Sequence, residues 1–230
     1  MDLHHALAVR AAGELAARDD VLAVLIGGSV ARREHRPTSD VDLLVVTAEQ
    51  TSLPVSRRTV RDGLLVEWIA RTEAAWLARF DRARTSWLFA FLEGEVVHDS
   101  GPAERLAARA RAVLETYRTS VEARQNLASL LWHGQAKLDR AAESGDVREQ
   151  GFWSSICVET VVDALYAIHD VPRTAGSRRM AHLRMVPLTE HEEDLLDALL
   201  TAPARERFQA LRHLMAHLRS ALGEPDLELP

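Results

Sequence analysis

The chain has 230 residues, 47% of them hydrophobic and 27% charged, which is enough to bury a sizeable core in two domains or lobes of an ordinary globular protein. The formal net charge of −6 is spread evenly, with 12 basic and 15 acidic residues in 1–100 and 16 and 19 in 101–230; no basic stripe is present, so a nucleic-acid partner is not expected. One cysteine, Cys157, excludes an internal disulfide and a thiolate zinc cluster. No apolar run approaches the roughly 18 residues of a membrane span, and Met1-Asp2-Leu3-His4-His5 does not read as a signal peptide, so a cytoplasmic protein with no membrane partner is expected.

The chain opens with an alanine-rich segment, Leu3 to Arg18, in which Leu7, Ala11 and Leu15 recur at helical spacing. Asp19-Asp20 ends it. The apolar run Val21 to Ile26 then predicts a buried strand, Gly27-Gly28-Ser29 a turn, and Asp40-Val41-Asp42-Leu43-Leu44-Val45-Val46 a second buried strand carrying two carboxylates. Side chains at i and i+2 of a strand share a face, about 6 to 7 Å apart, so Asp40 and Asp42 can hold cations in one site while Val41, Leu43 and Val45 anchor the other face. Carboxylates and phosphate oxygens are the ligands that Mg²⁺ takes, and two such ions about 3.5–4 Å apart clamp the attacking and leaving oxygens of an in-line phosphoryl displacement. The turn supplies a second part. Gly27 and Gly28 let backbone approach a phosphate closely, Ser29 offers a hydroxyl, and Arg32 offers a fixed positive charge.

Glu49 to Asp62 reads as a polar connection with a short strand, in which Arg57, Arg58 and Arg61 form a solvated basic face or approach a triphosphate. Gly63 to Ala70 is a strand with Glu67 among apolar neighbours. A lone carboxylate buried there costs several kcal/mol unless paired, and a metal shared with Asp40 and Asp42 would pair it. Thr72 to Phe91 is helical in character, and its aromatic residues read as core. Glu95 to Asp99 makes a last strand, and Ser100-Gly101-Pro102 marks a domain boundary, giving domains 1–100 and 101–230. The remainder reads as five helices: one with Leu106, Ala110 and Tyr117, one with Leu127, Leu131 and Leu138, one from Gly145 to about His169 that buries Cys157, one opened by the capping box Thr189-Glu190-His191-Glu192, and one over 204–222. The tail 224–230 is expected to fray. The fold class is thus α+β: a small mixed sheet with flanking helices, then a helical bundle. His213 and His217 stand at i and i+4 but lack a His-Glu-x-x-His arrangement, so a second metal site there carries little weight.

Gly28-Ser29-Val30-Ala31-Arg32, the ten-residue step to Ser39-Asp40-Val41-Asp42-Leu43, and the acidic Glu67 on the next strand resemble the nucleotidyltransferase superfamily that includes DNA polymerase β. Within it the chain is most similar to the small antibiotic nucleotidyltransferases, the kanamycin and lincosamide enzymes. The resemblance covers about Val21 to Ala70. It implies transfer of a nucleoside monophosphate, AMP by default, from a Mg²⁺-bound nucleoside triphosphate such as ATP to a hydroxyl of a small-molecule acceptor, with release of pyrophosphate. It further implies Asp40, Asp42 and Glu67 as ligands of two Mg²⁺ ions, and Gly28, Ser29, Arg32 and Ser39 as nucleotide-binding residues.

On the third helix of the C-terminal part, Glu159, Asp163, Tyr166 and Asp170 recur along the side opposite the apolar face. By resemblance, a carboxylate on such a helix faces a cleft between the domains and acts as general base, which makes Glu159 the candidate, or failing it Glu67. By the same resemblance Arg178 and Arg179, in the loop that follows, reach the nucleotide phosphates. An acidic stripe facing the acceptor suits a polycationic aminoglycoside, whereas a lincosamide wants a more apolar pocket. The rival expectation is an antitoxin-like member that modifies or holds a protein partner, and a third is a nucleotide-binding relative without turnover. The sequence leaves open whether the chain is a monomer or a homodimer.

Overall fold

The computed structural model describes residues 2–80, 85–174 and 178–223. The chain divides into two units, Met1–Thr116 and Tyr117–Pro230.

The first unit is built on five strands: β1 (Val21–Ile26), β2 (Val41–Thr47), β3 (Ser56–Arg61), β4 (Leu64–Thr72) and β5 (Glu95–Asp99). Their order is β3-β4-β2-β1-β5, with β2 and β4 parallel and every other neighbouring pair antiparallel. The uninterrupted apolar runs of β1 and β2 take the inner positions, because both of their faces are covered. The arginine-bearing β3 takes an edge, where charge blunts pairing with another chain. Asp62 and Gly63, both with positive φ (51° and 79°), join β3 to β4 as a two-residue hairpin.

Helix α1 (Leu3–Ala16) covers one sheet face. Its Leu7, Ala8 and Ala11 pack with Val24, Val41, Leu43, Val45 and Val66. Helices α3 (Glu73–Phe80), α4 (Ser86–Glu93) and α5 (Pro102–Glu115) cover the other, where Trp76, Leu88, Phe91 and Leu106 meet Ala23, Leu25, Leu44 and Val46. Trp76 Nε1 donates to the Val45 carbonyl at 3.1 Å, so its polar end is satisfied inside the core. The expected helix over 72–91 is two helices, α3 and α4, with 81–84 outside the described residues. A short helix, α2 (Gly28–Ala31), fills the glycine turn.

The boundary lies later than the expected 100/101. Pro102 does start a helix, but Ala103, Leu106 and Ala110 of that helix are buried in the sheet core, so α5 belongs to the first unit, which runs to Thr116.

The second unit is helical: α6 (Val121–Ser144), α7 (Val147–Ile168), α8 (Arg179–Leu183), α9 (Glu190–Thr201) and α10 (Ala204–Leu222). Its core gathers Leu131 and Leu138 of α6, Val161 and Leu165 of α7, and Leu211 and Leu214 of α10. Gly145 caps α6 in the left-handed conformation, and Thr189 and Glu192 form the capping box of α9. Gly134 lets α6 lie close to its neighbours, since a Cβ there would stand 3.2 Å from Cys157 Sγ and closer still to Met215. Helix α7 has the length and apolar composition of a membrane span, and its Val161, Ala164 and Leu165 are fully buried in the core of this unit. Helix α8 lay outside the expected five, and the tail 224–230 lies outside the described residues.

Candidate active site

The site forms where β1 turns away from the sheet and β2 begins. The Gly27 amide donates to the Asp42 carbonyl at 2.8 Å, which fixes the turn against the first residues of β2. Gly28 follows with φ 62°, a left-handed conformation, and a Cβ at this position would collide with Asp42 Oδ2. Glycine is required twice over here, by its torsion and by the carboxylate beside it.

Asp42 is half-buried on the face of β2 that also carries Leu44 and Val46. In the parallel register it stands opposite Glu67 of β4. Asp40 immediately precedes the strand and is exposed, a shift of one residue from the expectation that both aspartates lie within it. Burial pushes the Asp42 carboxyl up to about 6, and the charges of Asp40 and Glu67 push it the same way against a weaker pull from Arg32 and Arg58. The three acids thus act on one another as a cluster. Three carboxylates brought to one end of the sheet are the oxygen ligands that a hard divalent cation takes.

Residues 10–90 match the model of the nucleotidyltransferase domain family. They form a nucleotidyltransferase domain. A solved structure, the nucleotidyltransferase-like protein from Exiguobacterium sibiricum 255-15, is similar over 93% of this chain and 74% of its own, with a TM-score of 0.53 and 14% identity, a likeness of fold. No curated protein matches. The chain is therefore a nucleotidyltransferase enzyme of α+β fold, with the nucleotidyltransferase domain at its N-terminus and helices after it. Members of this family generally use a nucleoside triphosphate and a divalent metal.

Within the nucleotidyltransferase domain, Ser29 lies in α2 directly after Gly28, and among the described residues its hydroxyl makes no hydrogen bond. Arg32 is mostly buried and bonds two carboxylates, Glu34 at 2.8 Å and Glu93 at 3.2 Å. Ser39 is occupied in its own turn, where its Oγ accepts from the Arg36 amide at 2.9 Å. The three arginines of β3 separate by role. Arg58 stands opposite Glu67 in the antiparallel register, and its Nε lies 2.9 Å from Glu67 Oε2, whereas Arg61 pairs with Glu14 of α1. What separates Arg58 from Arg61 is the strand register set by the Asp62-Gly63 turn.

The helical unit holds the other three candidates. Glu159 of α7 is 79% exposed along its side chain and pairs with Arg179 of α8 at 2.9 Å; Arg178 precedes α8 as its N-cap residue. Asp163 is the more enclosed acid and pairs with Arg173. The four-residue polar stripe expected on α7 does not form. Tyr166 is buried in the core, its hydroxyl donating to the Arg179 carbonyl at 2.9 Å, and Asp170 lies past the helix end, where it accepts from the Thr119 amide and from Arg124.

Proposed function

We propose that the chain transfers a nucleoside monophosphate, AMP in the first instance, from a nucleoside triphosphate to a hydroxyl of a small-molecule acceptor, an antibiotic of aminoglycoside or lincosamide type. The observation that carries this reading is the cross-strand pairing of Asp42 with Glu67 beside Gly28, with Asp40 one residue before the strand. In the reaction the acceptor oxygen bonds to the α-phosphorus, the α–β bridging bond breaks, and pyrophosphate leaves.

Asp40, Asp42 and Glu67 would hold two Mg²⁺ ions, which neutralise phosphate charge and polarise the oxygens at the reacting phosphorus. Gly28 and Ser29 approach the phosphates with backbone and a hydroxyl, and Arg32 and Ser39 shape the turn around them. Glu159 takes the proton from the acceptor hydroxyl, with Glu67 the alternative base, and Arg178 and Arg179 add positive charge for the leaving phosphates. Catalysis on this account is positioning and charge neutralisation, as in phosphoryl transfer generally. The arginine partners of Glu159, Asp163 and Asp170 offset the acidic charge that a polycation would seek. That favours the less cationic lincosamide type within the antibiotic reading.

The test is pyrophosphate release from each of the four nucleoside triphosphates with Mg²⁺, against a panel of aminoglycosides and lincosamides. Release that depends on one acceptor class and disappears in Asp40→Asn supports the reading. Nucleotide binding without release for any acceptor would overturn the antibiotic assignment, and transfer of label onto a co-purifying protein would replace it with the protein-modifying alternative.

A further inference from the structure

We propose that Asp2, His4 and His35 form a separate site for a divalent transition-metal ion of the zinc class, which ties the start of α1 to the connection leading into Asp40. Asp2 and His4 are near neighbours at the start of α1 and His35 is distant in sequence, yet one ligand atom from each lies within 4.8 Å of the other two. The imidazoles of His4 and His35 face one another with ring centroids 4.7 Å apart at 33°. The Asp2 carboxylate lies beside both: Oδ2 pairs with His35 Nε2, while Oδ1 accepts from the His4 amide at 3.2 Å and lies 3.7 Å from His4 Nδ1, beyond hydrogen-bond reach.

His4 supplies the second observation. It is 6% exposed, and its buried Nε2, like the Nδ1 of His35, has no hydrogen-bond partner among the described residues. Buried polar groups are nearly always satisfied, and an orphaned one costs about 1–3 kcal/mol. A cation held between the Asp2 carboxylate and one ring nitrogen each of His4 and His35 gives these imidazoles a partner that the protein does not. Asp2, with 43% of its side chain exposed, leaves the way in from solvent.

The donor set also names the ion. Two imidazoles and one carboxylate suit Zn²⁺, Co²⁺ or Ni²⁺, whereas Mg²⁺ takes oxygen ligands and is bound poorly by imidazole. Three protein ligands leave a fourth position for water. The other histidine cluster differs: His169 and His217 both bond Glu192, whose oxygens also accept from Thr189, so that group is satisfied without an ion.

The experiment is titration of the chelator-treated full chain with Co²⁺, followed by visible absorbance. The expected result is one equivalent bound with the intense bands of a tetrahedral site, displaced by Zn²⁺ and unaffected by excess Mg²⁺. His35→Ala should lose the bands and bind about tenfold or more weakly while keeping the wild-type circular dichroism. Asp2→Ala, a change at an exposed cap, provides the same test should His35→Ala misfold. Asp42→Asn and His217→Ala should keep the bands. Bands that persist in His35→Ala and Asp2→Ala, bands that vanish in Asp42→Asn or His217→Ala instead, or no such bands in the wild type would each overturn the assignment.

Discussion

Asp42 and Glu67 are register partners across the parallel β2·β4 pair, two acids set side by side near one end of the sheet. Like charges directly opposite on a sheet are destabilising, and Asp40 adds a third. A cation held between the carboxylates would offset this repulsion. Asp42→Asn should therefore raise the melting temperature of the metal-free protein at pH 8 by about 2–5 °C while reducing pyrophosphate release by at least about 100-fold. Calorimetry and a release assay on the same preparation check both halves.

The Asp42 carboxyl, raised from 3.8 to about 6, sets a pH dependence with a definite sign. Between those values the folded chain holds a proton that the unfolded chain has lost. The stability contributed by this group in the metal-free protein is present at low pH and declines as pH rises toward about 6. Cation binding needs the deprotonated acid, so its affinity should climb over the same window and level off above about 6. Melting curves with and without Mg²⁺ from pH 5 to 8 should diverge as pH increases.

Gly28→Ala places a methyl group against the Asp42 carboxylate at a residue whose φ is 62°. The expected cost is about 1–3 kcal/mol of stability, from strain alone. Since the collision falls on a proposed ligand, nucleotide affinity should drop by about tenfold or more, measured by calorimetric titration.

Arg58 is 70% exposed, so its pairing with Glu67 adds little to stability, and Arg58→Ala should unfold almost where the wild type does. The guanidinium nevertheless occupies a proposed metal ligand and repels cations. Its removal should tighten Mn²⁺ binding in the absence of nucleotide by about twofold to fivefold, a gain that titration calorimetry would detect.

In the helical unit, Glu192 is 1% exposed and accepts from His169 at 2.9 Å, His217 at 3.1 Å and the Thr189 amide at 2.8 Å. Although burial opposes its charge, these donors hold the carboxyl below its ordinary value, so the stability it contributes is lost as pH falls below about 4.5. Glu192→Ala should cost about 3–5 kcal/mol in denaturant unfolding and leave Mn²⁺ binding by the nucleotidyltransferase domain unchanged.

The strands and the glycine turn were legible because they are local. Apolar runs bracket Gly27-Gly28, and acids sit where an apolar pattern gives no reason for them. The alternation that sends Val41, Leu43 and Val45 to one face leaves Asp42 on the other, and burial agrees. What escaped depended on tertiary partners. Gly101-Pro102 signals a helix start, and only the burial of Leu106 against the sheet shows that this helix belongs to the first unit. Tyr166 fits a polar stripe by spacing, yet the core needed its ring and the Arg179 carbonyl its hydroxyl. The Asp62-Gly63 dipeptide was itself a hairpin signal, and reading it would have paired Arg58 with Glu67. His4 and His35 carried no local sign of one another.

The proposed joint holding of the catalytic cations by Asp40, Asp42 and Glu67 can be tested without knowing the acceptor. Mn²⁺ binding to the full chain, in the presence of a non-hydrolysable nucleoside triphosphate, is followed by electron paramagnetic resonance in the wild type, Asp42→Asn and Glu67→Gln. Each variant should lose about tenfold or more in affinity, with a melting temperature at or above that of the wild type. Wild-type Mn²⁺ affinity in both folded variants would contradict it.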